Sequence, residues 1–208
     1  MAKWTFSPYN IDAWNSSNSR IMIVAPEPNG DNPNSGNLDM GDWFRTANHT
    51  NKFHKNKLFY NRCKMILDGI FENEDHENFN HFRFVDLKAT SGGAQSNKQE
   101  ISDYVSENLD EVMKFFISNN EEFGLHPHYI VLVGNITYDI FSKYIQPELI
   151  KNNSKISWVC MPHPSAQTVA NEPLKNACYE IKQKLKLISE KPYKWYCRGK
   201  NNFGWQEI

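Results

Sequence analysis

The sequence runs to 208 residues, of which 39% are apolar and 13% aromatic; that is enough for one packed domain and too apolar for a disordered chain. A formal net charge of −1 excludes a uniformly basic protein, while a local basic patch stays compatible with nucleic acid. Cys63, Cys160, Cys178 and Cys197 are scattered without a C-x-x-C pair, which argues against a zinc ribbon, a thiol-held iron–sulfur cluster and a compact disulfide framework.

Residues Met1 to Arg20 carry Trp4, Phe6, Tyr9 and Trp14 but no continuous apolar core, so they do not read as a signal peptide. No stretch approaches the ~18 apolar residues of a membrane span. The expectation is a soluble, cytoplasmic protein with reduced thiols and no membrane contact. Ile21 to Ala25 is an apolar, β-branched run, as in a strand covered on both faces. Pro26, Pro28 and Pro33 then remove backbone donors, so no helix is expected before about Asn34. The polar loop that results holds Asp31, Asn32, Asn34 and Asn37. It is either a plain Asn/Pro turn or a ligand loop at a strand's carboxyl end.

Gly41-Asp42-Trp43-Phe44 could open a short helix, and Leu58 to Phe71 has the apolar spacing of a longer one. Glu72 to Asn80 reads as an acidic surface loop facing away from any DNA. His81 to Leu87 alternates as a second strand and opens into Lys88 to Gln95, a small-residue loop. Ser96 and Gln99 suggest a capping box for a helix striped by Ile101, Val105, Leu109, Val112 and Phe116. Tyr129 to Val133 is a third strand stopped by Gly134, followed by a helix through Ile136, Ile140 and Tyr144. Ile156 to Met161 is a fourth strand, ending in Pro162-His163-Pro164-Ser165-Ala166-Gln167. A last helix shows Leu174, Ala177, Cys178, Ile181, Leu185 and Ile188 on one face.

Strands alternating with helices predict an α/β fold, a four-stranded parallel sheet sandwiched by helices, with right-handed crossovers. Residues 1–190 form one domain in this reading, and 191–208 a basic and aromatic tail packed on it. From Lys182 to Lys200 seven cations face Glu190 alone, interleaved with Tyr193, Trp195 and Tyr196. This pattern suits a nucleic-acid groove and equally a solvated helix face with a packed tail.

His163 is the sharpest candidate for chemistry. Two prolines stiffen its backbone at a strand end, and an imidazole so held can donate a hydrogen bond to a developing anion. Ser165 and Gln167 follow with groups able to contact phosphate or a base. Gly92 and Gly93 are either a plain turn or a place where backbone N–H groups approach phosphate. The histidines form no H-E-x-x-H motif, and no metal is expected.

Taken in order, these segments resemble the uracil-DNA glycosylase superfamily. The apolar strand into Ala25-Pro26, the Gly/Asn loop and Gly41-Asp42-Trp43-Phe44 resemble its first motif, in the branches that carry Ala-Pro. Phe84-Val85-Asp86-Leu87 is similar to its second region, and Ile130-Val131-Leu132-Val133-Gly134 to its third strand. Met161-Pro162-His163-Pro164-Ser165 matches its His-Pro-Ser motif. The likeness spans Ile21 to Ile188.

The resemblance implies a DNA glycosylase that flips a nucleotide out of the stack and hydrolyses its C1′–N bond without a cofactor, as a monomer bound to DNA. It implies that a residue of the first motif positions water or stabilises the sugar cation. Ala25 stands where some branches place that catalytic Asp or Asn, so the role passes to Asp31 and Asn32, with Asp42 in reserve. Asp39 and Glu27 are further acids of the region, Glu27 flanked by prolines that turn it away. His163 would stabilise the departing base, and Asp86 would read a base edge. Ala25, Pro26, Ser91, Gly92, Gly93, Ser165 and Gln167 would line the substrate and its strand. The Phe that stacks on uracil in those branches has no counterpart near the first motif, nor do their cluster cysteines. The expected substrate is therefore a non-canonical base: damaged, uracil-like or a phage-hypermodified cytosine, in repair or in defence against phage. The alternatives are a catalytically inactive DNA-binding module of the same fold, or an enzyme on a small nucleotide. The absence of a G-x-G-x-x-G or P-loop pattern argues against the last.

Overall fold

Apolar, β-branched runs become the four central strands: β1 (Ile21–Ala25), β2 (Phe82–Asp86), β3 (Tyr129–Val133) and β4 (Ser157–Met161). They pair in parallel in the order β2-β1-β3-β4. The structure, a computed structural model, describes residues 5–28, 39–46, 55–71, 73–90, 92, 96–119, 122–161 and 163–164, together with the backbone of 195–197, 200–203 and 206–207. Near the sheet, β5 (Trp195–Cys197) and β6 (Lys200–Phe203) form a two-stranded antiparallel sheet. β7 (Gln206–Glu207) adds antiparallel to β4. The expected α/β fold with a four-stranded parallel sheet packed by helices is what the chain adopts.

Register decides which side chains share a face. Arg83, Met22, Ile130 and Trp158 lie in one row across the sheet. On that side Arg83 meets Trp14 of α1 (Ile11–Ser16). Trp158 there packs against Tyr138 of α6 (Asn135–Ile140) and against Phe141. The next row, Phe84, Ile23, Val131 and Val159, faces the other way because strand side chains alternate. There Phe84 touches Phe44 of α2 (Met40–Thr46) and Phe59 of α3 (Lys55–Phe71). The core is continuous from Phe44, Ile66 and Leu67 through the strands to Val105, Phe116 and Phe141.

Several local expectations change. The N-cap of α4 (Lys98–Glu107) is Asn97, not Ser96: its side chain accepts from the N–H groups of Gln99 and Glu100 at 3.0 and 3.3 Å. The single helix expected through Phe116 breaks at Asn108, whose amide Nδ2 donates to Tyr104 O at 2.8 Å. α5 (Leu109–Ile117) then starts afresh. After α6 a π-helical turn, Phe141–Ile145, leads into α7 (Gln146–Lys151). The acidic loop contains a 3₁₀ turn, His76–His81, that buries Phe79. The helix expected over Leu174 to Ile188 lies outside the described residues.

Candidate active site

The chain runs from β1 out to β2, then crosses to β3 on the other side of β1. Loops leaving the carboxyl ends of β1 and β3 therefore diverge, and in open α/β sheets the crevice at such a switch point is where ligands bind. Ala25 and Asp86 are paired at this edge. They continue the alternation of Ile23 and Phe84, so both face the α3 side. Ala25 contributes only a methyl group there, beside the Asp86 carboxyl.

The β1 and β2 loops run on together. Leu87 N–H donates to Ala25 O at 2.9 Å, Lys88 N–H to Pro26 O at 3.1 Å, and Gly92 N–H to Pro28 O at 3.2 Å. The Gly92 N–H thus closes the two loops rather than standing open for a phosphate. Its missing Cβ has a second use, because a Cβ at Gly92 would lie 2.1 Å from Glu27 Cδ. Glu27 consequently does not turn away to solvent. It is buried, and Lys88 Nζ donates to its Oε2 at 3.0 Å and also bonds Glu100 of α4. Burial pulls the Lys88 pKa down, but its hydrogen bonds to Glu100 and Glu27 outweigh this and leave it raised. Asp86 is held well above the usual carboxylate range, first by burial and then by the negative charge of Glu27. No described residue hydrogen-bonds to the Asp86 carboxyl.

From the far side of the crevice comes His163. Phe59 stacks on its ring, with centroids 6.1 Å apart and planes 25° from parallel. One helical turn along, Arg62 donates from Nη1 to Pro164 O at 2.6 Å. Spacing of i and i+3 puts both on one face of α3, so a single helix holds the His163–Pro164 segment from two points. Gly134, at the end of β3, has φ +92°, a conformation that favours glycine. It donates from N–H to Met161 O at 2.8 Å and brings its Cα side up to the His163 Cβ. Burial lowers the His163 pKa from 6.5 to about 4. At neutral pH the ring is uncharged and carries one N–H.

Phe84 touches Phe59 and Phe59 stacks on His163, so Asp86, Phe59 and His163 share one face at one edge. Asp42 is elsewhere. Its exposed carboxylate pairs with Arg45 at 3.3 Å; Arg45 donates to Tyr9 O, and Tyr9 N–H to Phe82 O at the amino end of β2. Asp39 is occupied at the start of α2, accepting from Gly41 N–H at 2.8 Å and from Ser7 Oγ at 2.7 Å. Asp31, Asn32, Ser91, Gly93, Ser165 and Gln167 lie outside the described residues.

Phe59, Arg62 and the Lys88–Glu27 pair are the site residues that sequence reading missed. A signal for the first two existed in their i, i+3 spacing on a helix beginning near the first motif. Among the described residues no three of His, Cys, Asp and Glu gather as a metal site would require. No described helix is long and apolar enough to cross a membrane. Comparison with the models of known protein families gives no match, and comparison with curated proteins gives no significant one.

Proposed function

We propose that the protein is a DNA glycosylase that flips a non-canonical base into the crevice and hydrolyses its N-glycosidic bond, leaving an abasic site. One observation carries this reading: a neutral histidine, His163, stacks on Phe59 while Arg62 holds the next residue, Pro164, at the carboxyl edge of the sheet, on the face it shares with Asp86. The His-Pro-Ser likeness of the sequence supports the same assignment. Unpairing and unstacking cost a few kcal/mol, and a ring such as Phe59 offers the extruded base a surface. As the C1′–N bond lengthens, negative charge gathers on the base. An uncharged imidazole N–H stabilises that charge without first having to lose a proton. Asp31 and Asn32 keep the proposed task of positioning water and supporting the sugar cation. Asp42 is the weakest candidate for it, since its contacts lead to the opposite end of β2. Ser91, Gly93, Ser165 and Gln167 would hold the strand, and no cofactor is required by the scheme.

The test is to incubate the purified protein with oligonucleotides carrying uracil, cytosine or modified cytosines and to cleave abasic sites with heat and alkali. Strand scission at the modified position is the expected result. A second reading, a DNA-binding module without catalysis, is favoured by Ala25 and by the engagement of Glu27 with Lys88. Tight duplex binding with no abasic product from any oligonucleotide would select it.

A further inference from the structure

Asp86 stands out among the buried groups at the sheet's carboxyl edge. It is 5% exposed, faces the Phe59–His163 side, and takes no hydrogen bond from a described residue. Across from it on the β1 loop lies the Glu27 carboxylate, seated on Gly92 and paired with Lys88. Lys88 also reaches Glu100 on α4, while α3 presents Arg62 to Pro164 O and the β4 loop presents His163. A buried carboxyl that takes no hydrogen bond from a described residue, set beside a carboxylate already paired with a lysine, has the surroundings of a proton donor.

We propose, resting on the glycosylase reading, that Asp86 is the general acid that protonates the departing base, so that the substrate class is an amino-bearing, cytosine-type base rather than uracil. Uracil leaves tolerably as an anion, because two carbonyl oxygens share its charge. A cytosine-type base has one carbonyl and an electron-donating amino group, and its departure needs a proton. In the step, the C1′–N bond breaks with its electron pair going to the base, and the Asp86 O–H proton passes to the base's ring nitrogen or carbonyl oxygen. A water oxygen bonds C1′, and the proton it sheds restores the Asp86 acid. Glu27 acts through Asp86: its negative charge discourages a second carboxylate beside it, which keeps the proton in place. Glu27 is therefore a positioning residue and Asp86 the catalytic one.

The experiment compares wild-type protein, Asp86→Asn and Glu27→Gln on three single-site oligonucleotides carrying 5-hydroxymethylcytosine, uracil or 5-fluorouracil, over a range of pH. 5-Fluorouracil departs readily as an anion and needs no acid. Wild type should release the cytosine-type base, with a rate that falls as pH rises and Asp86 ionises. Asp86→Asn should lose about 10²–10⁴-fold on that base and at least tenfold less on 5-fluorouracil, so that the ratio of the two rates changes. Glu27→Gln should shift the alkaline fall to lower pH. Equal loss on both bases, or an alkaline limb unmoved in Glu27→Gln, overturns the assignment while leaving the glycosylase reading in place. No release of any base, 5-fluorouracil included, overturns that reading and this one with it.

Discussion

The two ends of the central sheet each hold a histidine with a pKa lowered to about 4, and the two are built for different ends. At the amino edge, His128 owes its shift to burial, then to the Arg20 charge and to His126. Arg20 N–H donates to its Nδ1 at 3.1 Å, and Arg20 Nη2 lies 2.8 Å from its Nε2. The same guanidinium donates from Nε to His126 O and from Nη1 to Ser17 O. This is a staple, with one cation fastening the chain segments that enter β1 and β3. At the carboxyl edge, His163 owes its shift to burial, and its neighbours are a ring on one side and the Asp86 corner beyond. Charge is suppressed at both edges; at the second, the Asp86 carboxyl on the histidine's own face takes no hydrogen bond from a described residue, whereas the His128 ring is engaged by Arg20 on both nitrogens. An uncharged histidine therefore says little by itself; what its neighbours still have to give separates a strut from a site.

Exchanging the lesions is the strongest way to break this contrast. His163→Ala should cut base release by about 10²–10⁴-fold with little change in urea unfolding. His128→Ala should leave turnover intact but cost about 1–3 kcal/mol of stability, because buried Arg20 donors lose an acceptor. If the two variants behave alike, the distinction fails. Next in size, Arg62→Ala removes the donor to Pro164 O, and a loop displaced by about 1 Å is typically worth 10²-fold in rate. Base release should fall on that scale while duplex binding, read by fluorescence anisotropy, changes little. The smallest effect is on stability against pH. Both histidines resist protonation in the folded state, so below pH 6.5 the unfolded chain binds more protons and stability falls toward pH 4. Asp86 has the opposite sign: it holds its proton above 3.8, so its contribution is lost as pH rises through its folded pKa. Thermal melts of wild type and His163→Ala from pH 7 to 4 should show the variant declining less steeply.

Much of the fold was legible because buried parallel strands need nothing beyond an apolar, β-branched run, as in Ile130 to Val133. Helix α3 was legible for a related reason, since Cys63, Ile66, Leu67 and Ile70 recur on one face. Caps and breaks were harder. Ser96 and Asn97 are both good N-caps, and only the backbone decides between them. At Asn108 a side chain competes locally for a helical carbonyl, which an apolar stripe does not register. In the site, the Pro-His-Pro context exposed His163, but Phe59 belongs to another element and reaches it only through tertiary packing. Glu27 was misjudged from its prolines, because the space that receives it is made by a glycine sixty-five positions later, a separation across which sequence periodicity carries no signal.

The short strand β7 has a consequence in time. Gln206 and Glu207 lie against Trp158 and Ser157 at the outer edge of β4, so that edge stays open on the ribosome until a segment well downstream has been made. An unpaired edge is a template for another chain, and domains fold as synthesis proceeds. A nascent or shortened chain lacking those two residues would hold the crevice side of the sheet complete while still offering its other flank to a stranger.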